Sequence, residues 1–137
     1  MIFDLRELRV LLLDDDVDGR EAISVALSQR GARVTQASTV AEALECVAKD
    51  VPDAIVSDIA LPVEDGYSFI SKLRAGESAA VREVPVIAVT AYGSAEDRRR
   101  ILAAGFDAQI PKPIEPRVLS ATVKRLAQRT SRAARDH

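Results

Sequence analysis

Five positions between residues 14 and 112 each close a short apolar run, and their side chains together suit metal and phosphoryl chemistry. Asp14 and Asp15 follow Val10-Leu11-Leu12-Leu13, and Asp58 follows Ala54-Ile55-Val56-Ser57. Thr90 ends Val86-Ile87-Ala88-Val89, and Lys112 follows Ala108-Gln109-Ile110-Pro111. In a parallel sheet the carboxyl ends of the strands share one edge, where ligands bind. Three carboxylates, a hydroxyl and an ammonium would converge there. Such a set can hold a hard divalent cation such as Mg2+, which prefers oxygen ligands, and can take a phosphoryl group on an aspartate. Like charges this close repel, but Mg2+ with Lys112 supplies +3 against the formal -3 of the carboxylates.

The elements that must position these groups alternate between strand-like and helical patterns, as in an α/β domain with a parallel sheet. The expected strands are Arg9–Leu13, Arg33–Ala37, Ala54–Ser57, Val86–Thr90 and Ala108–Ile110. The first helix is expected from Gly19 to Gln29, with Gly31 in the position just past its end. Thr39 and Glu42 form a capping box for the second. Its apolar residues Val40, Ala43, Leu44, Val47 and Ala48 recur at helical spacing, and Pro52 stops it. After the loop Ile59–Asp65, which has the look of one that leaves Asp58 exposed, a third helix spans Gly66–Arg74. Ala75–Glu83 reads as irregular. Ser94 with Asp97 opens a fourth helix that Gly105 closes, and a fifth runs from Pro116 to Gln128 with Leu119, Thr122, Val123 and Leu126 inward. Residues 9–128 make one domain of five β-α units, residues 1–8 an N-terminal arm and 129–137 a tail or clipped linker.

The totals agree with one globular unit. A chain of 137 residues, 47% hydrophobic and 29% charged, can bury a real core. Its net charge of -2 gives no general attraction to nucleic acid or an anionic membrane. A single cysteine excludes an internal disulfide and fits a reducing compartment. No apolar run nears the roughly 18 residues of a membrane span, and Met1-Ile2-Phe3-Asp4-Leu5-Arg6-Glu7 is too charged for a secretory signal. A cytoplasmic protein without a direct nucleic-acid or membrane partner is expected.

Asp14-Asp15-Asp16-Val17-Asp18-Gly19 admits several readings. A calcium-binding helix-loop-helix would need glutamate at the twelfth position of its loop, where this chain has Val25. A Mg2+-dependent aspartyl-phosphate phosphatase of the haloacid dehalogenase type would use Asp14-x-Asp16 with Thr or Val two residues past the second aspartate, where this chain has Asp18. A solvated turn capping the first helix is the plain alternative. A metal cradle from Asp14 and Asp15 accounts best for the ionic groups at the other strand ends. Asp58 is then the nucleophile, rather than an ordinary strand-end aspartate. Thr90 is a hydroxyl donor to a phosphoryl oxygen, though strand duty alone explains a β-branched residue. Lys112, bracketed by Pro111 and Pro113, is a point charge toward phosphate. Cys46 reads as a small, half-buried apolar residue, His137 as a disordered terminus, and Arg98-Arg99-Arg100 as a solvated helix face open to a partner.

Over residues 8–128 this pattern resembles the receiver domain of bacterial two-component response regulators. The resemblance matches Asp14 and Asp15 to the acidic pair, Asp58 to the phosphoacceptor and Ala60 to the residue whose backbone carbonyl helps bind Mg2+. It matches Thr90, with small Ala91 after it, to the switch hydroxyl, and Lys112-Pro113 to the lysine and the proline that usually follows a cis peptide bond. Leu61-Pro62-x-x-Asp65-Gly66 also looks like the family's loop after the acceptor. It implies a flavodoxin-like (βα)5 fold with a doubly wound sheet in the order 2-1-3-4-5. It further implies phosphorelay signalling by a phosphoacceptor that assists its own phosphorylation and dephosphorylation rather than an enzyme. The phosphoryl group would come from a histidine kinase or phosphotransfer protein. Signalling would pass to a downstream protein through the face of the fourth helix, fifth strand and fifth helix, with Arg98, Arg99, Gln109 and residues near Arg117. A single-domain regulator and the receiver of a hybrid histidine kinase both fit. Gln109 departs from the aromatic residue often found three before the lysine, and Tyr92 is large enough to screen a phosphate from water.

Overall fold

Short apolar runs bounded by turn residues become strands because both of their faces can be covered by helices. The computed structural model describes residues 4–91 and 93–135, with 129–135 as helical backbone only. The strands are β1 (Arg9–Leu13), β2 (Arg33–Ala37), β3 (Ala54–Asp58), β4 (Val86–Thr90) and β5 (Ala108–Pro111). All neighbours pair in parallel, in the expected order β2-β1-β3-β4-β5. Every residue of β3 and β4 is buried, whereas β2 at the sheet edge is mostly exposed. The helices are α1 (Val17–Ser28), α2 (Val40–Lys49), α3 (Gly66–Arg74), α4 (Ala79–Arg82), α5 (Ala95–Ala104) and α6 (Pro116–Arg135).

Alternation along the strands feeds two cores, one on each face of the sheet. Leu11, Leu13, Ile55 and Ala88 pack with Val40, Ala43 and Val47 of α2, Phe69 and Leu73 of α3, and Ile101 of α5. Val10, Leu12, Val56, Ile87, Val89 and Ile110 pack on the other face with Ile23 and Leu27 of α1 and Leu119, Val123 and Leu126 of α6. The sheet is doubly wound, and all five strands point their carboxyl ends to one edge.

Several local expectations change. Helix α1 begins at Val17 rather than Gly19, because the Asp16 carboxylate caps it by accepting from the Gly19 N–H. It ends at Ser28, so Gly31 lies further out in the loop, at φ 100°. Within the supposedly irregular Ala75–Glu83, Ser78 caps the single turn of α4. On α6 Thr122 is only half-buried and donates to the Val118 carbonyl, while Ser120 takes a buried place and donates to the Pro116 carbonyl. Helix α6 continues past Gln128 to Arg135, through residues expected as a tail. The segment expected as an N-terminal arm is anchored over Asp4–Leu8, since Leu5 is fully buried and its N–H donates to the Arg30 carbonyl. His137 and Tyr92 lie outside the described residues.

One side chain ties the far end of the sheet together. The Arg74 guanidinium, at the end of α3, donates to the carbonyls of Arg82, Val84 and Gly105 and to the Asp107 carboxylate. Asp107 Oδ2 also accepts from the Val86 N–H at the start of β4. Gly105 ends α5 at φ 115°, a left-handed conformation suited to glycine. Replacing Arg74 deprives the part-buried Val84 and Gly105 carbonyls of this donor. Arg74→Met is expected to lower the unfolding free energy by about 2 kcal/mol, read by chemical denaturation. An unchanged midpoint would show that water serves those carbonyls equally well.

Candidate metal and phosphoryl site

The sheet edge brings the sequence's ionic candidates together. β1 and β3 are neighbours in register, Leu13 opposite Ser57, so the residues that follow them emerge side by side. One carboxylate oxygen from each of Asp14, Asp15 and Asp58 falls within 4.8 Å of the others. Asp14 and Asp58 are buried and Asp15 is exposed, which leaves the cluster open on one side. Hard oxygen donors in this number and spacing fit a cation such as Mg2+, which keeps several waters as further ligands.

Backbone bonds fix the two buried carboxylates. Asp14 Oδ1 accepts from the Asp16 N–H at 2.9 Å, and the Asp14 N–H itself donates to the Ala37 carbonyl of β2. Asp58 Oδ1 accepts from the Ala60 N–H at 3.1 Å, and Oδ2 accepts from Lys112 Nζ at 2.8 Å. These partners cover Asp58, which is only 6% exposed although the sequence suggested an exposed position. The loop after it folds back closely. The Gly66 N–H donates to the Ile59 carbonyl, and a Cβ on Gly66 would lie 2.7 Å from the Asp58 carbonyl oxygen. Only glycine allows that approach.

Lys112 reaches the cluster from the opposite side. Its N–H donates to the Thr90 carbonyl, and the Lys112-Pro113 peptide is cis, as the resemblance implied. Thr90 is buried at the end of β4, paired in register with Pro111. Burial raises the Asp14 carboxyl above its ordinary range, and the charges of Asp58 and Asp15 add to this. Part of the rise is offset by the Asp16 N–H and by Lys112. For Lys112 burial disfavours the charge, but the bond to Asp58 and the charges of Asp58, Asp14 and Asp16 outweigh it, so its pKa is raised. A groove of about 320 Å³ opens beside Asp14 and Lys112, walled by Ala22, Ile23, Ile114 and Leu119.

The acidic stretch divides its duties. Asp16 caps α1, while Asp14 and Asp15 join Asp58, so the capping reading holds for Asp16 and its two neighbours have the spacing that a metal cradle requires. Sequence reasoning missed Arg20. Its Nη1 donates to the Asp14 carbonyl and its Nε to Gln36 Oε1, both at 2.9 Å. An arginine one turn into a helix carries no signal of that contact. Arg98 and Arg99 are exposed as expected, but Arg100 lies over the Tyr67 ring, 4.5 Å from its centroid. Tyr67 in turn meets Phe106 edge-on, with ring centroids 6.3 Å apart. Gln109 is half-buried on β5 opposite Ala88.

Comparison with known proteins agrees with this geometry. Residues 10–124 match the model of the response regulator receiver domain. The chain is 38% identical over 112 residues to an uncharacterized 14.6 kDa protein of Leptolyngbya boryana, covering 82% of this chain and 84% of that one. It is 40% identical over 126 residues to the transcriptional regulatory protein PrrA of Mycobacterium tuberculosis, covering 92% of this chain and 52% of PrrA. It thus spans about half the length of several curated relatives that it matches. A similar solved structure is the receiver domain of the sensor histidine kinase PA1611 from Pseudomonas aeruginosa PAO1, with a magnesium ion coordinated in its active site cleft. Its TM-score is 0.80 at 32% identity, covering 89% of this chain and 98% of that one.

The crowding of carboxylates has a measurable consequence. Asp14→Asn keeps the oxygen that accepts from Asp16 but removes one charge. Without divalent cation, the variant is expected to melt about 4 °C higher at neutral pH, for about 1 kcal/mol of relieved charge burial and repulsion. Because the folded-state pKa of Asp14 is raised, the cost of its charge is present at neutral pH. It fades as pH falls from that raised value to below the ordinary carboxylate range, so the gap between variant and wild type should narrow on acidification. Equal melting at neutral pH would show that the repulsion is already screened.

Proposed function

The chain belongs to the family of response regulator receiver domains, and from that membership we propose that it serves a phosphorelay by accepting a phosphoryl group on Asp58. Receiver domains are phosphoacceptor signalling domains rather than conventional enzymes. One arrangement carries the proposal: Asp14, Asp15 and Asp58 converge within 4.8 Å while Lys112 bonds the Asp58 carboxylate at 2.8 Å.

An Asp58 oxygen attacks the phosphorus of a phosphohistidine on a histidine kinase or phosphotransfer protein. The O–P bond forms as the P–N bond breaks, and the imidazole leaves. Water later cleaves the acyl phosphate, restoring the carboxylate and releasing inorganic phosphate. Asp14, Asp15, Asp58 and the Ala60 backbone carbonyl would hold Mg2+, which when bound offsets charge between the carboxylates and the phosphoryl oxygens. Lys112 follows the negative charge from Asp58 to the phosphoryl group, and Thr90 donates its hydroxyl to a phosphoryl oxygen. The protein's part is positioning and charge neutralisation, on groups already held in place. The groove between α1 and the start of α6 gives the donor an approach beside Asp14 and Lys112.

Output would pass to a downstream protein through the face of α5, β5 and α6, where Arg98, Arg99 and Arg117 are exposed. A cytoplasmic setting belongs to the same proposal, and among the described residues no helix is long and apolar enough to cross a membrane. The haloacid dehalogenase reading loses support because Asp16, its second aspartate, is engaged in capping α1.

Intact-mass spectrometry with a small acyl-phosphate donor tests the assignment. A single phosphoryl adduct is expected with Mg2+, none with chelator and none on Asp58→Asn. Full labelling in chelator, or of the Asp58→Asn protein, would overturn it. Lys112→Ala should leave Mg2+ affinity unchanged or tighter, since it removes a cation from an acidic cluster, yet lose the NMR shift changes that accompany phosphorylation. Wild-type shift changes in that variant would remove Lys112 from the switch.

A further inference from the structure

Asp14 lies one residue beyond the end of β1, where the ladder of the sheet stops supporting the backbone. Its N–H still reaches β2, donating to the Ala37 carbonyl at 3.1 Å. Its carbonyl is taken instead by a side chain, Nη1 of Arg20 from the first turns of α1, at 2.9 Å. The same guanidinium donates from Nε to Gln36 Oε1 at 2.9 Å. Gln36 is the residue before Ala37 on β2, so the two peptide groups flanking Asp14 are tied to adjacent residues of the neighbouring strand, the first directly and the second through Arg20. The Gln36 amide is itself oriented, donating to Ser24 Oγ at 3.2 Å and Glu21 Oε2 at 3.4 Å on α1. A fork from α1 through Arg20 thus links β2 to the carbonyl of the peptide that joins the two aspartates of the acidic pair.

We propose that Arg20 is a positioning residue for the divalent-cation site: its forked bonds to the Asp14 carbonyl and Gln36 hold the Asp14-Asp15 peptide in the orientation that lets both carboxylates serve one ion. This rests on the phosphoacceptor reading of the same site and names a further residue on which it depends. Two properties of arginine matter. Nε and Nη1 donate in different directions from one rigid plane, so one group satisfies two acceptors at once. A lysine ammonium has the charge without that geometry. Groups behind metal ligands typically contribute about 10-fold or more to metal affinity.

Geometry and charge predict opposite results, so Mg2+ titration by calorimetry or NMR separates them. If Arg20 positions the ligands, Arg20→Ala and Arg20→Lys should both weaken Mg2+ binding about 10-fold, and Gln36→Ala should weaken it less. If Arg20 were only a nearby cation, Arg20→Ala would bind Mg2+ more tightly and Arg20→Lys would behave as wild type. High Mg2+ should restore the rate of labelling by the small phosphodonor in both Arg20 variants, because Asp58 itself is untouched. Melting in chelator serves as the control for folding. Wild-type or tighter Mg2+ affinity in Arg20→Lys, or a labelling rate that excess Mg2+ does not restore, overturns the positioning role. It leaves the Asp58 assignment standing, since wild type would still bind Mg2+ and label. Absence of Mg2+ binding by wild type would overturn both.

Discussion

Keeping three carboxylates within 4.8 Å of one another is the constraint around which the rest of the molecule is arranged. Two unit charges at that distance repel by roughly 3 kcal/mol at the effective dielectric typical of protein sites. Asp14 and Asp58 are also nearly removed from water. Left to itself, a flexible loop would separate such groups. Here they extend directly from β1 and β3, whose pairing is fixed by buried apolar residues on both faces. Lys112 offsets one charge from across the site, and backbone N–H groups of Asp16 and Ala60 satisfy one oxygen each. The repulsion that remains favours a ligand carrying positive charge.

That arrangement separates stability from chemistry along the strand axis. At the amino ends of the strands, Arg74 and Asp107 join α3, β4 and the α5–β5 turn through hydrogen bonds to backbone carbonyls and an N–H. At the carboxyl ends, polar groups are also aimed at one another and at the opening. Arg20 adds a framework type of contact there, to the backbone of a residue in the acidic cluster.

An aromatic contact lies beside the proposed output face, between α5 and α3. Tyr67 on α3 accepts the Arg100 guanidinium over its ring and meets Phe106 at its edge. These contacts hold α5 against α3, on the same side of the sheet as Gly66 and the loop that closes behind Asp58. Gln109 on β5 is half-buried where the resemblance to receiver domains implied an aromatic ring. A polar side chain there offers less apolar area for exchange between two states, and a conformational equilibrium moves only by the difference in what each state stabilises.

Periodicity and punctuation in the sequence determined most of the architecture. Five apolar runs, the Thr39–Glu42 capping box, Pro52 and Gly105 marked the elements, because helix and strand burial impose different spacings and caps act locally. The strand-end positions of Asp14, Asp15, Asp58, Thr90 and Lys112 also revealed the chemical character of the site. Local rules failed where a partner distant in sequence decided the outcome. Leu5 is buried because Arg30 and the α1 side of the sheet receive it, and Asp58 is covered because Lys112 arrives from 54 positions away. The role of Asp16 as a cap, as distinct from its two acidic neighbours, required the observed start of α1. Arg20 and Arg74 are helical arginines that look solvated in the sequence. Only tertiary structure reveals what their guanidinium groups reach, because each bonds to backbone carbonyls, and a carbonyl carries no residue identity for the sequence to display.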